Sequence, residues 1–267
     1  FLIARRISQI SIMVLYIIAN LYGINILMGN LSSSLVAKTI PLSDPYAALQ
    51  MFFAGAVISF DILLGAFFIL IFYMIVGGRA FCSWVCPVNI ITDLANYLRR
   101  RFGFNQIQKK QPASRNIRYW VIAISFVISF FMGIAAFELI SPISMIHRGI
   151  IFGLGFGWAT IVIIFLFDLF VLKNGWCGHI CPLGGFYSLV GRFSLIRVHH
   201  NADNCTACMK CKEVCPENQV LHMVTKTSIP VLSGECTNCG RCVEVCDDDA
   251  LNFSIKNLKK GDYNEVR

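Results

Sequence analysis

The sequence predicts an all-α membrane domain of four transmembrane helices, residues 1–200, followed by a small α+β domain, residues 201–267. Composition and cysteine spacing carry this reading. Of the 267 residues, 56% are hydrophobic and only 14% charged, where a soluble domain carries about 25% charged residues. The twelve cysteines fall into spaced groups, which favours metal ligation over a disulfide framework. A net charge of +8 raises the question of nucleic acid. The basic residues sit beside apolar runs, however, so they belong at a membrane surface. No leader with a cleavage site is read at the start, and the first residue is not Met, so the expectation is that a few N-terminal residues are missing.

A spanning helix needs about 20 mostly apolar residues. Four stretches qualify: 7–28, 52–76, 119–140 and 156–172. Gly153, Gly155 and Gly157 precede or open the last, which leaves its start undefined. Arg5 and Arg6 lie before the first span. The loop between the second and third carries Arg79, Arg99, Arg100, Arg101, Lys109, Lys110, Arg115 and Arg118. The two opposite loops hold only Lys38 and Arg148. The positive-inside rule then places both termini in the cytoplasm of a bacterial inner-membrane protein.

The second and fourth spans end alike. One runs into Cys82-Ser-Trp-Val-Cys86-Pro87, the other into Cys177-Gly-His-Ile-Cys181-Pro182. Such a duplication suits two parallel repeats about an axis along the membrane normal. On a helix, positions i and i+4 share a face, so each motif can present two thiols together. Four thiols would then meet at the cytoplasmic membrane face and hold a further metal centre or a redox disulfide relay. The plainer alternative is four packed cysteines acting as small apolar residues. His179, inside the second motif, could assist a metal. The stretch 88–102 reads as a helix lying on the surface.

From about Asn201 the chain turns polar and cysteine-rich. A domain this small needs a staple beyond its core. Cys205, Cys208, Cys211 and Cys215-Pro216 follow the spacing C-x₂-C-x₂-C-x₃-C-P, and Cys236, Cys239, Cys242 and Cys246 repeat it. This is the bacterial two-cluster ferredoxin run, in which the fourth cysteine ligates the other cluster. Cys205, Cys208, Cys211 and Cys246 are therefore expected to hold one 4Fe–4S cluster, and Cys215, Cys236, Cys239 and Cys242 the second. Zinc ribbons would pair their cysteines across a longer gap. Asp247 stands where a proline would follow the last cysteine, and with Asp248 and Asp249 it adds negative charge near that site.

Ionisable groups at membrane depth are functional candidates by default. Asp61 lies in the second span, Glu138 near the outer end of the third and Asp168 near the inner end of the fourth. His147 and Arg148 fall in the outer loop. Asp61, Glu138 and His147 are the candidates for accepting protons in a redox reaction. The segment Pro41-Leu-Ser-Asp-Pro-Tyr46 reads as an outer turn.

Four spans, two Cys-x-x-x-Cys-Pro motifs and two ferredoxin runs together resemble the NapH family of ferredoxin-type membrane proteins. Asn30-Leu-Ser-Ser-Ser34, Pro41–Tyr46 and Gly78-Arg-Ala-Phe-Cys-Ser-Trp-Val-Cys-Pro-Val-Asn89 carry the resemblance too. NosR and CcoG groups share the motifs. The resemblance implies menaquinol or ubiquinol as electron donor, so that Asp61, Glu138 and His147 become quinol residues. It also implies a periplasmic iron–sulfur partner, NapG, that passes electrons towards the periplasmic nitrate reductase. Two other readings compete with this quinol dehydrogenase subunit: a copper-handling membrane reductase using the four membrane thiols, and an assembly or scaffold subunit with structural clusters. Clusters inside and an acceptor outside are separated by a hydrocarbon core about 30 Å thick, too wide for one electron step. A quinol, a centre at the membrane cysteines or a partner's cofactor has to bridge it.

Overall fold

The computed structural model describes residues 1–22, 27–36, 39–103, 114–152, 155 and 157–255. Lys38, Lys109, Lys110 and Gly153 fall outside the described residues.

Helix α1, Leu2–Tyr22, opens the chain and is the one described helix both long and apolar enough to cross a membrane. It is followed by a feature that an all-α reading does not contain. β1 (Leu27–Gly29), β2 (Ser33–Val36) and β3 (Ile40–Ser43) form an antiparallel sheet in that order. Its first turn is local chemistry: the Asn30 side chain accepts the N–H groups of Ser32 and Ser33 at 2.9 and 2.8 Å. Such an Asx turn offers the backbone an alternative to helix. Pro41 is tolerated because β3 is an edge strand.

The expected second span is two helices. α2, Pro45–Phe53, is capped by the Asp44 carboxylate, and Gly55 takes φ 72° just beyond it. α3, Phe60–Val76, has 17 residues, about 26 Å at 1.5 Å per residue and at the lower limit for a span. Gly65 lets α3 lie directly on the sheet: a Cβ there would stand 2.8 Å from the Pro41 carbonyl oxygen. The third expected span also breaks. α6, Ile117–Met132, stops at Gly133 in the left-handed region, and short α7 (Ala136–Ile140) and α8 (Pro142–Phe152) follow. The fourth is α9, Gly157–Leu166, continued by a π turn to Val171. Phe67, Phe68, Phe72, Ile124, Phe131 and Ile163 on α3, α6 and α9 are exposed. An apolar rind of this kind marks an interaction surface.

α4 (Ala80–Trp84) and α5 (Val88–Arg101) follow α3. A π turn (Trp176–Ile180) and α10 (Pro182–Val190) follow α9 in the corresponding places. α5 is amphipathic, burying Val88, Thr92, Ala95 and Arg99 while Leu94 and Tyr97 stay exposed. The Arg99 guanidinium donates to the carbonyls of Asp168 and Leu169 at 3.1 and 3.3 Å, serving acceptors in the π turn. Tyr46, Tyr73, Phe81, Phe137, Ile164, Leu183 and Tyr187 form the core between the halves.

The C-terminal fold is a two-stranded sheet, β4 (Ile196–His200) antiparallel to β5 (Leu251–Ile255), with short α11 (Lys210–Val214) and α12 (Arg241–Glu244). Val198, Leu221, Val224, Val231 and Leu251 fill it around the cysteines. Two glycines, Gly234 and Gly191, bring it against the rest, and Gly78 makes a third close approach within the rest. A Cβ on Gly234 would stand 2.0 Å from the Ser188 carbonyl oxygen; on Gly191, 2.6 Å from that of Gly234; on Gly78, 2.1 Å from that of Tyr187.

Candidate functional site

The two ferredoxin runs fold into matching loops. Ala207 and Met209 flank Cys208 at φ 61°, and Asn238 and Gly240 flank Cys239 at φ 45° and 74°. Alternating left-handed residues turn successive backbone N–H groups into a concavity that receives an anion, such as the sulfides of an iron–sulfur cluster. The thiols of the two runs lie near one another. Cys211 lies within electrostatic reach of Cys205, Cys208 and Cys246, while Cys242 reaches Cys215, Cys236 and Cys239 and also Cys211. The second four line one small cavity of about 10 Å³. Among the described residues no three His, Cys, Asp or Glu side chains close tightly enough for a single metal ion. One zinc would draw its sulfurs to roughly 4 Å of each other, whereas a cubane holds them further apart. The donor set and the left-handed loop geometry fit a cluster.

The four membrane-motif thiols also meet. Cys82, Cys86, Cys177 and Cys181 line one small cavity of about 10 Å³ with Phe81, Val88, Ile143 and Leu183. Their placement differs from a shared helical face. α4 ends at Trp84, so Cys86 lies beyond it. Cys177 sits in the π turn, and Cys181 caps α10 with its sulfur accepting the Gly184 N–H at 3.4 Å. Burial raises the Cys82 thiol and the neighbouring Arg79 guanidinium pulls the other way. Burial, then the neighbouring thiols, push Cys86 and Cys177 well above the ordinary thiol range.

The first motif touches the second ferredoxin loop, and the segment just before the second motif touches the end of the first ferredoxin run. Ser83 Oγ donates to the Thr237 carbonyl at 2.7 Å, and Trp84 Nε1 to that of Asn238 at 3.1 Å. Lys173 Nζ and Asn174 Nδ2 donate to the carbonyls of Cys215 and Pro216 at 3.3 and 2.9 Å. Buried Arg79 joins all three parts. It donates to Glu217 Oε1 at 2.7 Å and to the carbonyls of Glu235 and Cys177 at 3.0 Å each. Arg115 also pairs with Glu217, and Arg118 with Glu235. Cys215, Cys239 and Cys242 are buried here, whereas Cys208 of the other set is exposed.

Comparison with known proteins agrees. The 4Fe-4S binding domain family matches residues 58–105 and 154–199, the two halves that carry the Cys-x-x-x-Cys-Pro motifs, and the 4Fe-4S dicluster domain matches 197–247. The ferredoxin-type protein NapH of Escherichia coli is 42% identical over 83% of this chain and 76% of its own length. The chain belongs to the NapH family of ferredoxin-type proteins. The methylamine utilization ferredoxin-type protein MauN of Methylorubrum extorquens is also similar, 44% identical over 86% of this chain and 80% of its own. MauN of Paracoccus denitrificans is 43% identical over 86% and 78%. No solved structure matches.

The proton candidates scatter in this NapH-family chain. Asp61 is exposed in the first turn of α3, where a carboxylate suits the positive end of the helix dipole. Asp168 is buried and accepts the Trp176 N–H at 3.0 Å, holding the turn that carries Cys177. Glu138 accepts from Ser32 and Ser144 hydroxyls at 2.7 and 2.5 Å. His147 is buried edge-on to Tyr16, with ring centroids 4.8 Å apart, and burial pushes its imidazole down. His179 is buried in the second motif's π turn. The carboxylate that sequence reading passed over is Asp44. Its Oδ1 accepts the Tyr187 hydroxyl at 3.1 Å and the Tyr46 N–H at 3.3 Å. Burial pushes its carboxyl up to about 7. Its place between two prolines signalled only a turn.

Proposed function

We propose that this chain is the quinol-oxidising membrane subunit of a respiratory complex, passing electrons from menaquinol or ubiquinol through iron–sulfur centres towards a periplasmic reductase. The observation that carries this is the contact of the first Cys-x-x-x-Cys-Pro motif with the second ferredoxin loop, with Arg79 bonded both to Glu235 beside that loop and to Cys177 of the second motif. Electron transfer needs such adjacency, and a scaffold with merely structural clusters does not.

In this reading Cys205, Cys208, Cys211 and Cys246 hold one 4Fe–4S cluster, and Cys215, Cys236, Cys239 and Cys242 the other. When bound, each cluster supplies a one-electron acceptor. Cys82, Cys86, Cys177 and Cys181 form a third site at the cytoplasmic membrane face. The 4Fe-4S family matches over both motifs support iron–sulfur there over a disulfide relay. α1, α3, α6 and α9 with its π turn are the four spans, and both termini are cytoplasmic. The exposed apolar side chains of these helices support this. The β1–β3 sheet is then non-helical backbone at membrane depth, tolerated where protein covers it. NapG and the nitrate reductase are the partners that the NapH resemblance supports. Similarity to MauN favours a second acceptor, in methylamine utilization.

Purified chain in lipid vesicles should show bleaching of cluster absorbance on adding menaquinol or ubiquinol. Clusters that dithionite reduces but neither quinol does would sink the reading. Reporter fusions at both ends should read as cytoplasmic; a periplasmic tail would overturn the orientation.

A further inference from the structure

A cavity of about 230 Å³ lies between α1, the sheet, α3, α4 and α10. It is lined by apolar Ile12, Leu42 and Ile69 and by Tyr16, Asp44 and Tyr73. Whole-ligand pockets run to about 300–1,000 Å³, so this space suits a ring headgroup whose tail stays outside. Ile12, Leu42 and Ile69 are only half-buried, and α1 and α3 carry exposed apolar side chains beside them.

We propose that this cavity binds the quinol ring and that the Asp44 carboxylate takes its protons. The proposal rests on the quinol-oxidising reading above and adds the place and the base. Three observations support it. The first is chemical: the Asp44 carboxylate faces phenols and an anion. Tyr187 donates to it, Tyr46 supplies a backbone N–H, Tyr73 shares the cavity, and Glu138 acts on it electrostatically. A carboxylate set this way exchanges protons with a ligand better than it holds a salt bridge. The second is an exit for electrons. Phe81 lines both this cavity and the one lined by the four thiols. One aromatic ring therefore separates donor from acceptor, and it stacks on Tyr187 with centroids 5.3 Å apart. The third is an exit for protons: Asp44 and Glu138 line a second, small cavity with Ser32 and Ser141.

The reaction balances. Both quinol O–H bonds break and the ring becomes a quinone. Two electrons leave singly to one-electron acceptors of the iron–sulfur class. Each proton passes to Asp44 in turn and on to water by way of Glu138.

The test uses the full chain in vesicles with a short-chain benzoquinol or naphthoquinol. Asp44→Asn keeps the α2 cap, since asparagine caps as well as aspartate. It should slow quinol-dependent cluster reduction about 10²–10⁴-fold, the usual worth of a general base. Cluster content and reduction by dithionite should stay unchanged. Ile69→Trp should fill the cavity and raise the quinol concentration needed. A photoreactive benzoquinone should label Tyr16 or its cavity neighbours. Wild-type chain that no quinol reduces would overturn the functional reading itself. Wild-type reduction with Asp44→Asn and Ile69→Trp equally fast, or labelling elsewhere, would overturn this site alone.

Discussion

Replacing Arg79 by Met should loosen the C-terminal fold from the membrane motifs without touching a thiol. The Arg79 side chain is 1% exposed and that of Glu217 3%, so solvent does not screen the pair. Breaking a buried pair by removing one partner costs about 3–5 kcal/mol. Arg115 still reaches Glu217, which puts the cost at the lower end, about 3 kcal/mol. At 1.4 kcal/mol per tenfold, the undocked fraction rises about a hundredfold. Limited proteolysis of the solubilised chain reads that fraction, because cleavage follows the open population when reclosing is fast. Arg79→Lys should rescue only in part, since an ammonium cannot reach three acceptors with a planar fork. Glu217→Gln removes the charge that Arg79→Met strands. The double variant should therefore be milder than the sum of its parts by about 1 kcal/mol or more. Unchanged cleavage in Arg79→Met, or strict additivity in the double variant, would refute the reasoning.

Cys246→Ser should damage the cluster shared with Cys205, Cys208 and Cys211 and largely spare the other; resonance spectra of single variants showing the reverse would refute the pairing. Single Cys→Ala changes at Cys82, Cys86, Cys177 and Cys181 should each cripple quinol oxidation, and the quadruple variant should be little worse, because groups acting as a unit are non-additive. Full activity in the quadruple variant would leave those thiols as packing. Quinol oxidation should rise with pH through about 7, as the Asp44 carboxyl ionises and becomes a base. Glu138 opposes that ionisation, and the Tyr187 phenol, pushed well above its ordinary value, stays neutral in this range. A profile identical in Asp44→Asn would remove Asp44 from the rate.

What was readable in the sequence follows the range of the interaction concerned. The Cys205–Cys215 and Cys236–Cys246 loops were readable because their geometry is local: each needs a few residues and two left-handed positions. The apolar runs were readable for the same reason, although their ends were not. Gly133 ends α6 within the expected third span, and the Gly55 turn divides the second into α2 and α3. The sheet from Leu27 to Ser43 was missed because its strands are three or four residues long and β3 is set by packing on α3, distant in sequence. Arg79 was counted as one more cytoplasmic charge, and its partner Glu217 lies 138 residues away. Asp44 was hidden by its neighbours: flanked by serine and proline, it has the chemistry of a turn whatever else it does.

The glycine seam has a practical consequence for anyone wishing to study the iron–sulfur tail alone. A cut near residue 200 would free a fragment of domain size, but not a natural surface. The Gly234 backbone, shaped to lie against Gly191, would meet water. The Thr237 and Asn238 carbonyls would lose the donors of Ser83 and Trp84. Glu217 and Glu235 would lose Arg79, Arg115 and Arg118 together. The excised piece would thus carry unbalanced negative charge beside its second ferredoxin loop, and electrochemistry on it would describe a different electrostatic environment from that of the intact chain.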